Sequence, residues 1–283
     1  MDLIQAIILG LVQGLSEFIP ISSSAHLIIV PWLLGWQDPG ITFDVALHMG
    51  TLVAVLAYFW QDWLRLITGA LRSLRAGHPL SDPEGRLGWF ILIATIPGAL
   101  AGLLGESKLD ELFHGSSAAG ARNGILIIGI VMIVLALVLL AAERIARHQY
   151  DMEHLTLAQA VTIGLAQATA IIPGVSRSGS TITAGLFMNL KREAAARFSF
   201  LLGTPVIVGA SVKKAYDLFK PHGTPVPDPT LFAVGMIVAA VSGYAAIWLL
   251  LRFLQRNTTL PFIIYRVAMG VLLIVLVLAG FRQ

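Results

Sequence analysis

The amino-acid sequence predicts an all-α polytopic membrane protein: six transmembrane helices and two re-entrant helix–turn–helix hairpins, arranged as inverted-topology repeats. Three observations carry this expectation. Of 283 residues, 57% are apolar and only 12% charged, against roughly 25% charged in a soluble domain. So few charges cannot cover a water-facing surface, and lipid must solvate much of the chain. Six apolar stretches have spanning length, and two further apolar segments are broken by polar turns that match one another at a fixed offset.

A spanning helix needs about 20 mostly apolar residues. Residues 45–60, 87–105, 123–142, 198–212, 229–251 and 261–281 meet that requirement, the fourth being short and holding Pro205, the last holding Arg266 near its start. Trp60, Trp63, Trp89 and Trp248 fall near span ends, where amphipathic rings favour the membrane interface. The opening residues Met1–Gln5 lack a basic stretch, and no small-residue cleavage site follows, so they read as mature sequence and not a signal peptide.

Residues 3–36 and 155–190 differ from the spans. Each is apolar but interrupted, by Pro20-Ile21-Ser22-Ser23-Ser24 in the first and by Pro173-Gly174-Val175-Ser176-Arg177-Ser178-Gly179 in the second. Irregular backbone at membrane depth survives only where protein buries it or where it lines a wet cavity. Hairpins that enter and leave on one face satisfy that condition better than two kinked spans. A shift of 154 residues pairs Leu3, Gln5, Ala6, Gly10, Leu11, Gln13, Ser22 and Ser24 with identical residues, eight matches in 22 positions. The expected organisation is one membrane domain of two repeats, 1–150 and 151–283, each a hairpin followed by three spans. Three is odd, so the halves must be inverted, and their turns meet near the midplane.

That topology sorts eleven Lys and Arg residues, from Arg65 to Arg256, onto the face opposite the N-terminus, and six, from Lys108 to Arg282, onto the face that holds it. The positive-inside rule then places both termini on the outer side of a plasma membrane. Net charge is only +3 with scattered basic residues, which argues against nucleic-acid binding. The absence of Cys excludes disulfides, thiolate metal sites and a cysteine nucleophile.

Charge inside a bilayer is expensive enough to mark function. The first hairpin offers Gln13 and Glu17 on one helix face, then Ser22, Ser23, Ser24 and His26; the second offers Ser176, Arg177, Ser178, Ser180 and Thr181. Helices starting in both turns aim free amides at one place, and Arg177 adds a permanent charge. Such a site favours a multiply charged anion, phosphate above others. Glu17 beside it makes sense with a divalent cation, Mg²⁺ or Ca²⁺, with Gln13 behind, or as an orienting group for proton transfer. Singly, Glu17 could be a structural partner of Arg177, and His26 a packing residue; together they form a phosphoryl-transfer set. Asp44 and His48, also i,i+4, are assigned a supporting or interfacial role because no turn or repeat partner accompanies them.

The segment Gln13-Gly14-Leu15-Ser16-Glu17-Phe18-Ile19-Pro20-Ile21-Ser22-Ser23-Ser24-Ala25-His26-Leu27 resembles the first signature of the bacterial undecaprenyl-diphosphate phosphatase family, the bacitracin resistance proteins. Residues 173–181 resemble its second signature, and 43–51 a further stretch common in it. The resemblance implies hydrolysis of undecaprenyl diphosphate to undecaprenyl phosphate and inorganic phosphate. That reaction recycles the lipid carrier of peptidoglycan and envelope synthesis, and it confers resistance to bacitracin, which sequesters the substrate. It also implies a divalent cation, a site opening outward, and a site built from Glu17, Ser23, His26, Arg177, Ser176 and Thr181. Many relatives carry Glu at position 13; Gln13 here weakens any metal-binding charge at that place.

The expected mechanism holds the diphosphate where the turns meet, on Arg177 and turn amides, with Gln13, Ser22, Ser24, Ser176, Ser178 and Thr181 in support. Ser23 is the preferred nucleophile with His26 as base; water activated by His26, or His26 itself, are the alternatives. A transporter or flippase of polyprenyl phosphate is the rival reading. Oligomeric state, a homodimer included, and chain-length preference are left open by the sequence.

Overall fold

The computed structural model describes residues 1–78, 80–113, 118–218 and 228–282. Eleven α-helices run among them: α1 (Leu3–Phe18), α2 (Ser23–Leu34), α3 (Ile41–Tyr58), α4 (Trp60–Arg75), α5 (Pro83–Phe113), α6 (Ala118–Ile145), α7 (Leu157–Ala168), α8 (Arg177–Phe187), α9 (Arg192–Leu218), α10 (Pro229–Leu254) and α11 (Leu260–Leu278). Five of them, α5, α6, α9, α10 and α11, are long and apolar enough to cross a membrane, and α3 with α4 forms a sixth candidate bent by 74°. The chain is therefore an all-α polytopic membrane protein.

The hairpin helices are shorter. At 1.5 Å per residue, the 16 residues of α1 and the 12 of α2 fall short of a hydrocarbon core about 30 Å thick. Both hairpins start with the same device. Asp2 caps α1 by accepting from the Gln5 amide, and Thr156 caps α7 by accepting from the Gln159 amide, each glutamine returning a hydrogen bond to the cap backbone. These reciprocal capping boxes satisfy amides that a helix start leaves open. α1 ends just before Pro20, α7 runs on through a 3₁₀ turn (Thr169–Ile171) to Pro173, and Ser22 and Ser176 then precede the second helix of each hairpin.

Two sequence expectations change. The sequence predicts a span over 45–60. Instead α3 ends at Tyr58 and turns into α4, an amphipathic helix that buries Leu66, Gly69 and Ser73 while exposing Leu64, Ile67, Leu71 and Leu74. Its basic residues kept it below any apolar-run criterion, yet a helix of that kind lies in the interface. The short span 198–212 is the middle of α9, 27 residues long.

Helix contacts are close because there is little hydrophobic drive between helices in lipid, and small residues let backbones touch. α1 packs along α10, where a Cβ on Gly14 would sit 2.6 Å from the Ala239 carbonyl oxygen. α7 packs along α5, where a Cβ on Gly164 would sit 2.1 Å from the Ala94 carbonyl oxygen. Gly164→Ala should cost about 1–3 kcal/mol through forced backbone displacement, read as a lower melting midpoint in detergent. A raised midpoint, which helix propensity alone would give, would disprove the tight crossing.

Polar contacts tie helix ends together at one face of the bundle. Glu143 at the end of α6 receives the Arg192 guanidinium from the start of α9 and the Thr259 hydroxyl (2.8 Å) before α11. Arg197 of α9 pairs with Asp62 of α4 at 2.9 Å, and Arg86 donates to the Glu153 carbonyl at 2.9 Å. At the other face Arg282 donates to the Leu33 carbonyl, and Trp32 meets Phe281 edge to face. Of residues weighed in the sequence, His114, Lys220 and His222, with the side chains of Lys108 and Lys214, lie outside those described.

Candidate active site

The two turns meet. Ser22 and Ser176 stand at the starts of α2 and α8 with φ of 78° and 71°, a left-handed backbone that non-glycine residues adopt at an energetic penalty and that clusters at functional sites. The serines hold the turns to each other. Ser22 Oγ accepts from the Gly174 amide at 3.1 Å across the two hairpins, and Ser178 Oγ donates to the Ile19 carbonyl at 3.2 Å in the opposite sense. Ser176 Oγ accepts from the Gly179 amide at 3.0 Å and closes the first turn of α8.

Behind both turns lies Arg266 of α11, 1% exposed. Its guanidinium donates to the carbonyls of Gly174 (2.8 Å), Val175 (3.2 Å), Pro20 (3.3 Å) and Met132 (3.3 Å). Carbonyls freed where a helix breaks have no water to turn to in a membrane, and one planar fork of five donors serves several at once. No carboxylate pairs with it among the described contacts. In the sequence Arg266 stands out only as a charge near the start of the span 261–281; a guanidinium at its sixth position is the signal that a polar partner awaits it there.

In front of the turns opens a cavity of about 290 Å³, lined by Glu17, Ser23, Ser24, His48, Ser176 and Arg177 with apolar residues of α5, α7 and α9. Arg177 binds one oxygen of the Glu17 carboxylate and, through its other arm, the Gly203 carbonyl at 2.9 Å. The second Glu17 oxygen accepts from Ser23 Oγ and from Gln13 Nε2 at 3.0 Å. His48 Nε2 stands 3.6 Å from it. A buried carboxylate, a guanidinium and a hydroxyl thus converge from α1, α8 and α2, with an imidazole from α3.

Not every expected residue faces this cavity. Gln13 supports Glu17 from behind, its Oε1 buried without a partner. Ser22 and Ser178 are spent on joining the turns. Thr181 donates to the Arg177 carbonyl at 2.7 Å and lies 2.6 Å from Ser199 Oγ, so it braces α8 against α9. His26 differs most from expectation. Its Nδ1 lies 2.7 Å from the Ser22 carbonyl and its Nε2 2.6 Å from the Tyr265 hydroxyl. A carbonyl only accepts, so Nδ1 carries the proton and a neutral ring receives the tyrosine proton at Nε2. Both nitrogens are engaged, and Ser23 is bonded to Glu17: the arrangement of His26 as base for Ser23 is not what the fold builds. His48, assigned a supporting or interfacial role from the sequence, lines the cavity beside Glu17. Its Nδ1 lies 2.7 Å from the Asp44 backbone carbonyl, which turns Nε2 toward Glu17.

For a divalent cation the donor set is small. Among the described residues no three of His, Cys, Asp and Glu converge. Glu17 lines the cavity and fits a cation that keeps waters and completes its shell with phosphate oxygens, while Gln13 orients that carboxylate from behind; the two do not form a cage of their own.

Fold and cavity define a class: a helical membrane protein with a polar pocket built where two interrupted helical segments meet. A sequence model of the bacitracin resistance protein BacA family matches residues 6–272, and the chain belongs to that family. It is 47% identical over 277 residues to an undecaprenyl-diphosphatase of Thermomicrobium roseum, covering 98% of this chain and 99% of that one. It is 46% identical to one of Pelotomaculum thermopropionicum over 283 residues (100% and 99%), and 44% identical to one of Moorella thermoacetica over 275 residues (97% of each).

Proposed function

We propose that the chain hydrolyses undecaprenyl diphosphate to undecaprenyl phosphate and inorganic phosphate, returning the lipid carrier to peptidoglycan and envelope synthesis and thereby opposing bacitracin, which captures the diphosphate. One observation carries the mechanism: Arg177, Glu17 and Ser23 are linked in a row at the mouth of two helix starts. An arriving terminal phosphate competes for Arg177 and draws the guanidinium from Glu17. Amides at the starts of α2 and α8 add donors to the phosphate oxygens. Glu17, released, takes the proton of Ser23 Oγ, which attacks the terminal phosphorus. The bridging oxygen leaves with the lipid phosphate, and water then frees Ser23. His26 is a positioning residue in this scheme, pinning the Ser22 carbonyl and with it the start of α2. Mg²⁺ or Ca²⁺ would be held by Glu17, which Gln13 orients from behind, and by the diphosphate oxygens, and would supply charge neutralisation at the transferring phosphoryl group.

Purified protein in detergent with Mg²⁺ should release phosphate from a long-chain prenyl diphosphate, whereas a carrier would release none. Ser23→Ala should lower that turnover by about three orders of magnitude or more. Near-normal turnover would discard the serine nucleophile and leave water activated at Glu17.

The same reading treats 1–150 and 151–283 as inverted repeats in the bacterial plasma membrane, both termini outside and the cavity opening outward. Matching capping boxes at Gln5 and Gln159, matching left-handed serines 22 and 176, and the crossed pairings of α1 with α10 and α7 with α5 support the repeat. A homodimer is compatible with it and is tested by mass measurement in detergent.

A further inference from the structure

The cavity has two unlike sides. Toward the turns it carries Glu17, Arg177 and His48; toward α5, α7 and α9 its wall is small or apolar, broken only by Gln167 and Ser211. Gln167 is 3% exposed, and among the described residues neither its amide nitrogen nor its oxygen has a hydrogen-bond partner; the Ser211 hydroxyl also has none there. Leaving such groups buried and unpaired is unfavourable to the fold. α5 even yields room for the amide, since a Cβ on Gly98 would lie 2.9 Å from Gln167 Nε2. A neutral donor retained against stability, in a pocket whose charged side is already matched to a phosphate, points to a second part of the ligand.

We propose that Gln167, with Ser211, is the subsite for the lipid-linked phosphate, the one that departs with the prenyl chain. The inference rests on the phosphatase reading. When the bond from the bridging oxygen to the terminal phosphorus breaks, its electron pair stays on that oxygen and charge grows on the lipid-linked phosphate. The terminal phosphoryl group passes to Ser23 and then to water. A carboxamide N–H on the opposite wall meets the new charge, and the apolar residues around it accept the first prenyl carbons. An uncharged donor also lets the product go, where a second guanidinium would retain it.

The test uses the purified protein in detergent with Mg²⁺, as wild type, Gln167→Leu and Gln167→Asn. Gln167→Leu should lose about tenfold to a hundredfold in kcat/KM for farnesyl diphosphate, as expected for one hydrogen bond to a charged group. Inhibition by farnesyl phosphate should weaken by a similar factor while inhibition by inorganic phosphate is unchanged. The melting midpoint should not fall, because the amide has no partner to lose. Gln167→Asn, one methylene short, should give a smaller loss in the same direction. Unchanged kcat/KM and farnesyl phosphate inhibition in both variants, or equal weakening toward inorganic phosphate, would overturn the subsite. If the wild type releases no phosphate, the phosphatase reading fails on its own. Farnesyl phosphate protection against melting, present in the wild type and lost in Gln167→Leu, would then still uphold the subsite, and its absence would refute it.

Discussion

Arg177→Ala is expected to reduce phosphate release by at least about 10³-fold, the range seen when a guanidinium facing a transferring phosphoryl group is removed. The physical reason is double occupancy. Arg177 now joins Glu17 to the Gly203 carbonyl, and Gly203 admits it only because a Cβ there would lie 2.8 Å from Nη1. In the proposed mechanism the fork waits beside Glu17 and Ser23 and is expected to move to the phosphate when one arrives. Alanine also strands the Glu17 carboxylate, and breaking a buried pair costs about 3–5 kcal/mol. To separate folding from chemistry, Glu17→Gln with Arg177→Ala should restore the melting midpoint and leave turnover absent. Arg177→Lys keeps the charge without the fork and should retain a small residual rate. Substantial turnover by the alanine variant would remove Arg177 from the mechanism.

Arg266→Leu is expected to be the most damaging single change to the fold. Leucine would leave three turn carbonyls, those of Pro20, Gly174 and Val175, without their donor, at about 1–3 kcal/mol each for an unsatisfied buried group. Their sum rivals the whole margin of a typical fold, about 5–15 kcal/mol. The variant should aggregate or melt far below the wild type on size-exclusion and thermal assays in detergent. Arg266→Lys, which can serve fewer carbonyls, should fold with a lowered midpoint and poor turnover. A wild-type melting curve for the leucine variant would show that the turns close without that guanidinium.

Much of this architecture was legible because lipid imposes simple rules. Long uncharged runs had to be spans, and interrupted runs holding Glu17 or Arg177 had to be something else. The offset of 154 residues pointed to the two turns, and the fold brings Glu17, Ser23 and Arg177 into contact. What escaped notice depended on direction. Whether His26 faced Ser23 or folded back onto the Ser22 carbonyl is decided by the left-handed start of α2, which no spacing rule contains. His48 was set aside for want of a repeat partner, yet it needed only the packing of α3 beside α1 to reach Glu17. α4 was hidden by its arginines, and Gln167 registered only as the match of Gln13, since its lack of partners exists only in three dimensions.

The placement of Tyr265 and Arg266 on α11 has a consequence for biogenesis. α11 is made after α1 to α10, and it brings the Tyr265 hydroxyl to His26 and the Arg266 guanidinium to carbonyls of both hairpins. Nascent chains inserted as far as α10 carry every other site residue but lack the clamp that shapes them. The pocket is thus expected to become competent only once α11 has been inserted, so a chain truncated before residue 260 would sit in the bilayer inert.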